Sequence, residues 1–225
     1  MSPAKGSPSP KGEATRQRIV DAALDLFTEK GFAGTTMRAV AERADVSLGN
    51  AYHYFASKEH LVQGFYERTQ DAHAEAAAAA MTTRSLAERW TACETAFLEV
   101  NRPYHPFAGT FFAVAAQPDS PLSPFSAESG PAREAATAIM RDVVEGSDAK
   151  MDARLRAELP DLLWLAHMGI VLHWVHDRSE GQRRTVRLVE RTAPALEKLT
   201  GLSRLPVLRG SVHDLLDTFR DLRTP

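Results

Sequence analysis

The sequence has very little cysteine and no long apolar segment. Cys93 is the only cysteine among 225 residues, which excludes an internal disulfide and a cysteine-rich zinc site. No run of 18 or more apolar residues occurs, and the first 16 residues lack the apolar stretch of a secretory signal. These absences predict a cytoplasmic protein that has no membrane partner.

An excess of one charge is missing as well. The net charge is −2, and residues 1–66 carry eight Lys and Arg against seven Asp and Glu. Charge alone therefore points to no nucleic-acid partner. The sequence also lacks the motifs G-x-S-x-G and G-x-x-x-x-G-K-S/T and any His/Glu motif with metal spacing. It predicts neither an enzyme nor a bound cofactor.

What the sequence does contain is helical periodicity. Apolar residues recur at helical spacing from Ile19 to Phe27, and this helix is expected to end at Gly31. No segment keeps the two-residue alternation of a strand, so an all-α fold is predicted. Residues 1–12 are expected to form a disordered basic arm, 13–66 one domain and 67–225 a larger one. Later helices are expected over 132–145, 152–177, 182–200 and 211–223, with a loop at 117–131.

Residues 36–55 carry the clearest pattern. They read TMRAVAERADVSLGNAYHYF, in which Thr35 or Thr36 caps a short helix and Ser47 caps a second one after a tight turn. Gly49 has no side chain to hold the backbone away from DNA bases. Asn50 can both donate and accept hydrogen bonds at a base edge. The pattern predicts a helix-turn-helix DNA-binding domain whose second helix enters the major groove.

The surrounding sequence resembles TetR-family transcriptional regulators. The similarity runs from Glu13 to Leu61 and is carried above all by GFAGTTMRAVAERADVSLGNAYHYFASKEHL. Asp45 stands where the family commonly has glycine, and aspartate tolerates left-handed backbone better than most residues. The resemblance implies a homodimer on a palindromic double-stranded DNA operator, with a C-terminal helical domain for ligand binding and dimerisation. The expected protein is a repressor that a small-molecule effector releases from its operator. The aromatic residues of the second domain, and not the resemblance, predict that this effector is apolar.

The resemblance also assigns DNA contacts. It implies that Thr36 binds a phosphate and that Arg38 reaches a base or a phosphate. Base edges would be faced by Ser47, Leu48, Gly49, Asn50 and His53. The DNA backbone would be held by Tyr52, Tyr54 and Lys58.

The second domain offers two further sets of candidates. Aromatic residues and histidines could line an apolar effector pocket, although at helical spacing such residues are more often plain core. These candidates are Trp90, Phe97, Tyr104, His105, Phe107, Phe111, Phe112, Trp164 and His167. For the dimer interface that the resemblance implies, the candidates are Leu162, Ile170, Trp174, Val189, Ala193 and Leu196.

Other interpretations compete with these. His173 and His176 lie beside Asp177, but no third ligand has suitable spacing, so no metal site is predicted. For Cys93 a buried structural role is favoured over a thiol sensor. Two other functions stay open. One is a DNA-binding regulator that takes no small-molecule effector, or one that acts as an activator. The other is a helical protein that does not bind DNA.

Overall fold

The computed structural model describes residues 9–117, 119–205, 207, 210, 213–214, 216–218 and 220. Over these residues all regular structure is helical, which confirms the all-α prediction. The α-helices described are α1 (Pro10–Gly34), α2 (Met37–Arg43), α3 (Leu48–Tyr54), α4 (Lys58–Ala80), α5 (Leu86–Asn101), α6 (His105–Ala115), α7 (Gly130–Glu145), α8 (Ala153–His176) and α9 (Arg183–Leu202). Most of the predicted helix over 211–223, and residues 1–8 of the predicted arm, lie outside the described residues.

The first helix begins earlier than the sequence indicates. Gly12 N donates a hydrogen bond to Ser9 Oγ at 3.2 Å, and Pro10 occupies the first turn, where its missing N–H is not needed. Residues 10–12 are therefore helical and do not belong to a disordered arm. The predicted break at Gly31 is confirmed by its φ of 74°. Phe32 then packs back on the last turn, with its ring centroid 5.3 Å from that of Phe27.

The chain forms two compact units. The first contains Met1–Arg68 and Pro106–Ser129, and the second contains Thr69–His105 and Gly130–Pro225. Helix α4 runs through residue 68 and contributes residues to both. Helix α6 lies within residues 67–225, which are predicted to form the C-terminal domain. In the structure, nearly all of α6 belongs to the first unit. The reason is aromatic packing, because a ring of α6 contacts rings of α1 and α4.

In the second unit, α5 packs on α9 and α7 packs on α8. The buried guanidinium of Arg89, on α5, ties neighbouring chain segments together by donating to backbone carbonyls. Its acceptors are Met81 O at 2.7 Å, Thr83 O at 3.0 Å, Asp142 O at 2.7 Å and Val143 O at 3.1 Å. Two of these carbonyls belong to the last turn of α7, where helical carbonyls lack partners and a cation is favoured. Gly146 leaves room for this arrangement, since a Cβ there would lie 2.1 Å from Arg89 Nη2.

Asp177 fixes the connection between α8 and α9. Its buried carboxylate accepts hydrogen bonds from the backbone N–H and the hydroxyl of both Ser179 and Thr185, at 2.6–2.9 Å. Burial alone would raise the pKa of Asp177, but these hydrogen bonds outweigh it and hold the pKa well below its usual range. The folded state therefore stabilises the ionised carboxylate.

This arrangement predicts a pH-dependent stability. The pKa of Asp177 is lower in the folded state than its unfolded value of about 4, so the stabilisation is present above that pH and is lost as the pH falls toward the folded-state pKa. We expect Asp177→Asn to lower the free energy of unfolding by about 2 kcal/mol at pH 7. The gap between the variant and the wild type should shrink below about pH 4. Urea unfolding followed by circular dichroism measures it, and a gap that stays constant with pH would contradict the assignment.

Candidate nucleic-acid interface

The segment predicted to contact DNA folds as two short helices, α2 and α3. Ala39 N donates to Thr36 Oγ1 at 3.2 Å, which makes Thr36 the N-cap of α2. Asn50 N donates to Ser47 Oγ at 3.1 Å, which makes Ser47 the N-cap of α3. The helix-turn-helix geometry predicted from the sequence is therefore present.

The turn between these helices depends on Asp45. Its φ is 53°, in the left-handed region, and the following Val46 N donates to Ala41 O at 3.0 Å. Left-handed backbone is least unfavourable for glycine, asparagine and aspartate. Aspartate therefore adopts the left-handed backbone of this turn without a glycine.

The inner faces of α2 and α3 are buried. Val40, Ala41 and Ala51 have almost no exposed surface where these two helices pack. Phe55, at the end of α3, packs so closely on α4 that a Cβ at Gly64 would lie 2.7 Å from its ring atom Cε1. These contacts hold α3 between α2 and α4 and determine which of its faces points outward.

The outer face of α3 carries seven of the predicted DNA contacts. Ser47, Gly49, Asn50, Tyr52 and His53 are exposed, and Leu48 and Tyr54 are half-buried. Thr36 and Arg38, at the start of α2, are exposed as well. The structure thus brings nine of the predicted contacts to two neighbouring short helices, and their side chains are available to a partner.

Gly49 has no packing role in the chain. A Cβ at this position would meet nothing within 4 Å, and its φ is not positive. A glycine inside a helix is about 1 kcal/mol less favourable than alanine. The fold therefore gains nothing from glycine here, whereas a partner that approaches the helix backbone closely would need it.

Lys58, the tenth predicted contact, has a partner inside the chain. Its Nζ donates to Phe32 O at 2.7 Å and lies 4.6 Å from the centroid of the Phe32 ring. The lysine thereby joins the start of α4 to the end of α1. The two residues are 26 positions apart, so helical spacing could not reveal this contact.

The nine predicted pocket residues are divided between the two units. Phe107 and Phe111 lie in the first unit, with ring centroids 5.3 Å apart, and both rings contact that of Phe65. Phe112, in the same unit, is half-buried. The second unit holds Trp90, Phe97, Tyr104, His105, Trp164 and His167.

Part of the second group forms an aromatic cluster. The Phe97 ring packs edge-on against His167, at 4.6 Å between centroids, and against Trp174 at 5.9 Å. His105 Nε2 donates to Trp174 O at 2.8 Å, and the two rings are 4.9 Å apart. Trp90 and Trp164 are buried elsewhere in the same unit, and Tyr104 is half-buried.

Two ionisable residues of this cluster were not predicted, Glu94 and His73. Glu94 is fully buried, and its carboxylate oxygens lie 3.0 and 3.1 Å from His167 Nδ1. The His73 ring stacks on that of His167 at 5.9 Å. Burial, together with the nearby His167, lowers the pKa of His73 to about 4. A signal existed for Glu94, since it lies on the helical face of Trp90 and Phe97, where a charged residue is out of pattern.

The histidines near the end of α8 have other partners. His173 Nδ1 lies 2.9 Å from Thr185 Oγ1, and His176 Nδ1 donates to Leu172 O at 2.9 Å. In the part of the chain that the structure describes, no three His, Cys, Asp or Glu side chains are grouped to hold a metal ion. Cys93 is buried, and burial raises the pKa of its thiol, which disfavours the reactive thiolate.

Four of the six predicted interface residues lie inside the chain. Ile170, Trp174, Val189 and Ala193 are buried within the second unit and present almost no surface to a second copy. Leu162 and Leu196 are half-buried. This corrects the predicted interface, because α8 and α9 each use one apolar face to pack on α7 and α5. The large apolar residues exposed on these helices are Leu172, Leu199 and Leu202.

An open groove of about 690 Å³ runs along α4, α5 and α9 in the second unit. Half of its twelve lining residues are alanines, and three are glutamates, Glu88, Glu99 and Glu190. None of the nine predicted pocket residues lines this groove.

Comparisons with known proteins agree with this geometry. Residues 19–64 match the model of bacterial regulatory proteins of the tetR family, and residues 89–217 match that of the tetracyclin repressor-like C-terminal domain. The chain is 55% identical over 47 residues to the repressor KstR of Rhodococcus jostii, covering 21% of this chain and 22% of that one. It is 38% identical over 61 residues to the regulator UidR of Escherichia coli, covering 27% of this chain and 31% of that one.

These curated relatives are matched over less than two fifths of their own length. A solved structure, the TetR transcriptional regulator from Nitrosomonas europaea, shares the fold with a TM-score of 0.62 at 18% identity, covering 81% of this chain and 97% of that one. The fold and the exposed face of α3 define a helix-turn-helix DNA-binding protein. Because the C-terminal model alone matches more than half of the 225 residues, the chain belongs to the TetR family of transcriptional regulators and is not an enzyme.

Among the described residues, no helix combines the length and the apolar character that a membrane span requires.

The exposed Gly49 yields a test that separates folding from DNA binding. We expect Gly49→Ala to leave the stability unchanged or to raise it by up to about 1 kcal/mol, because alanine favours the helix and nothing obstructs its Cβ. Affinity for operator DNA should fall by about tenfold or more, because the added methyl group keeps the helix away from the bases.

Thermal unfolding and fluorescence anisotropy with labelled DNA measure the two effects. Gly130→Ala, at an unobstructed position in the second unit, is the matched control and should leave affinity unchanged. An operator affinity for Gly49→Ala within twofold of the wild type would show that α3 does not approach DNA closely at this position.

Proposed function

We propose that the protein is a homodimeric repressor that binds a palindromic operator and is released from it by a small-molecule effector. It would act in the cytoplasm, on chromosomal DNA. The observation that carries the proposal is the outer face of α3, where Gly49, Asn50 and His53 are exposed on a helix whose other side is fixed by Phe55.

In this proposal the exposed residues divide into two groups. Asn50 and His53 read base edges, since both can donate and accept hydrogen bonds, and Ser47 and Leu48 complete the reading face at the start of α3. The groups that hold the DNA backbone are Thr36, Arg38, Tyr52 and Tyr54. Lys58 belongs to the same group, because its ammonium donates one hydrogen bond to Phe32 O and has two further N–H groups for a phosphate.

Support for a dimer comes from the apolar surface of the last two long helices. Leu172, Leu199 and Leu202 are 45%, 63% and 41% exposed although α8 and α9 are already packed on other helices. Burying large apolar side chains against a second copy removes this surface from water. Two copies related by a twofold axis would present two α3 helices to an inverted-repeat operator.

Support for an effector comes from the interior of the second unit. Glu94, His167 and His73 are buried ionisable groups in a cluster with aromatic walls, which is the usual character of a small-molecule site. Helix α4 contains His73 and also residues of the first unit, so one continuous helix connects the two. We infer that α4 can take two positions, only one of which suits operator binding. An effector that binds the other position more tightly lowers operator affinity by the difference between its own affinities for the two positions.

The proposal is tested by Asn50→Ala combined with His53→Ala. Each base contact is worth about 1–3 kcal/mol, so the double variant should lose roughly 30-fold or more of its affinity for the best-bound fragment of the DNA beside its gene. Affinity for unrelated DNA should change little, because phosphate contacts remain. Thr95→Ala, exposed on α5, is the control. Unchanged affinity of the double variant for that fragment would contradict base reading by α3.

A further inference from the structure

Two buried polar atoms on α4 have no hydrogen-bond partner among the described residues. They are Nε2 of Gln70 and Nδ1 of His73. The two residues are three positions apart on one helix, so their side chains lie on the same face. A buried polar group without a partner destabilises a fold by about 1–3 kcal/mol, and native structures contain few of them.

The protonation of the His73 ring follows from its one hydrogen bond. Its Nε2 lies 3.0 Å from Cys93 O, and since a carbonyl oxygen only accepts, Nε2 carries the hydrogen. His73 is 2% exposed, and burial lowers its pKa to about 4, so the ring is neutral near pH 7. Nδ1 is therefore a free acceptor, whereas the Gln70 Nε2 group is a free donor.

This pair of atoms has a definite chemical complement. A hydroxyl group donates one hydrogen bond and accepts others, so a hydroxyl placed between the two side chains would donate to His73 Nδ1 and accept from Gln70 Nε2. A carboxylate could not donate to Nδ1, and an ammonium could not accept from the amide. The nearby carboxylate of Glu94 also already has a partner, because one of its oxygens lies 3.0 Å from His167 Nδ1. A neutral group fits better than a charged one.

The walls of the site are aromatic. The Phe97 ring stands edge-on to His73 at 5.6 Å and to His167 at 4.6 Å, and Trp174 lies 5.9 Å from Phe97. Rings in this arrangement favour contact with an apolar body. Every residue named in this cluster lies in the second unit.

We propose that Gln70 and His73 form the subsite that recognises a hydroxyl group on a neutral, otherwise apolar effector. The inference rests on the proposed function, since it names the chemical class of the effector that acts on the second unit. An effector bound at Gln70 and His73 would contact α4 directly, and α4 contributes residues to both units.

The test uses matched pairs of compounds that differ only in a hydroxyl or a methyl group. Suitable pairs are phenol and toluene, 2-naphthol and 2-methylnaphthalene, and 4-phenylphenol and 4-methylbiphenyl, which span three sizes. Isothermal titration calorimetry with the full chain and no DNA gives each dissociation constant. In at least one pair the hydroxyl compound should bind about tenfold or more tightly than its methyl counterpart.

Variants then assign the preference to the two side chains. His73→Gln keeps an N–H for Cys93 O and removes the acceptor at Nδ1, so the preference should disappear. His73→Asn places a carbonyl oxygen near Nδ1 and should retain part of it. Gln70→Met removes the donor at similar volume and should also abolish the preference, whereas Gln63→Met, on the same helix, should not. Thermal unfolding shows which variants fold. If His73→Gln does not fold, the binding preference of Gln70→Met decides the test.

Three outcomes overturn the proposal. One is equal affinity, or no binding, for both members of all three pairs. Another is a hydroxyl preference that survives in Gln70→Met and in His73→Gln. The third is a buried water molecule that nuclear magnetic resonance detects at His73 Nδ1 and that stays there when the hydroxyl compounds are added. Gln70 Nε2 and His73 Nδ1 would then bind a structural water and not an effector. Operator binding is tested separately with the Asn50→Ala and His53→Ala double variant. A failure of the proposed operator binding can therefore be distinguished from these three outcomes.

Discussion

Phe55 is the C-cap of α3, and its ring packs on α4 at Gly64. The packing is so close that a Cβ added at Gly64 would lie 2.7 Å from ring atom Cε1 of Phe55. The guanidinium of Arg16 covers the same ring at 5.2 Å. With Ala51 buried toward α2, these contacts fix both the position and the rotation of α3. The exposure of Gly49, Asn50 and His53 is a consequence of that fixed rotation. A helix that reads DNA has to hold its contacting side chains in one fixed orientation. The packing of Phe55 and Ala51 provides this orientation for α3.

Short-range features of the molecule could be predicted from the sequence. The capping residues Thr36 and Ser47, the break at Gly31 and the left-handed turn at Asp45 each depend on residues within a few positions. The choice of residue at such places is governed by local backbone geometry and one side-chain hydrogen bond. The helix-turn-helix is built almost entirely from such features, which is why its sequence pattern identifies it.

Long-range partners could not be predicted in the same way. The hydrogen bond from the Lys58 ammonium to Phe32 O joins residues 26 positions apart, and no local pattern indicates it. Trp174 and Val189 lie on apolar helical faces, yet periodicity does not say whether such a face packs inside the chain or against a second copy. Glu94 and His167 are 73 residues apart, and only the fold brings them together. The buried cluster that we propose as the effector site depends on contacts of this long-range kind.

Helix α4 takes part both in the DNA-binding segment and in the buried cluster. Its first turns pack against Phe55 at Gly64, and its later turns contain Gln70 and His73, which belong to the second unit. The effector that we propose would therefore contact the same helix that packs against the end of α3. Such an effector would change operator affinity only by the difference between its affinities for two states of the protein.

We propose that two copies of α3 enter successive major grooves of the operator. A hydroxyl-radical and methylation-interference footprint on the DNA flanking the gene tests this docking most directly. We expect an inverted repeat whose half-site centres lie about 10–10.5 base pairs apart, or a multiple of this, and we expect methylation of guanine N7 in each half-site to block binding. A single protected stretch without an inverted repeat, or interference confined to the minor groove, would contradict it.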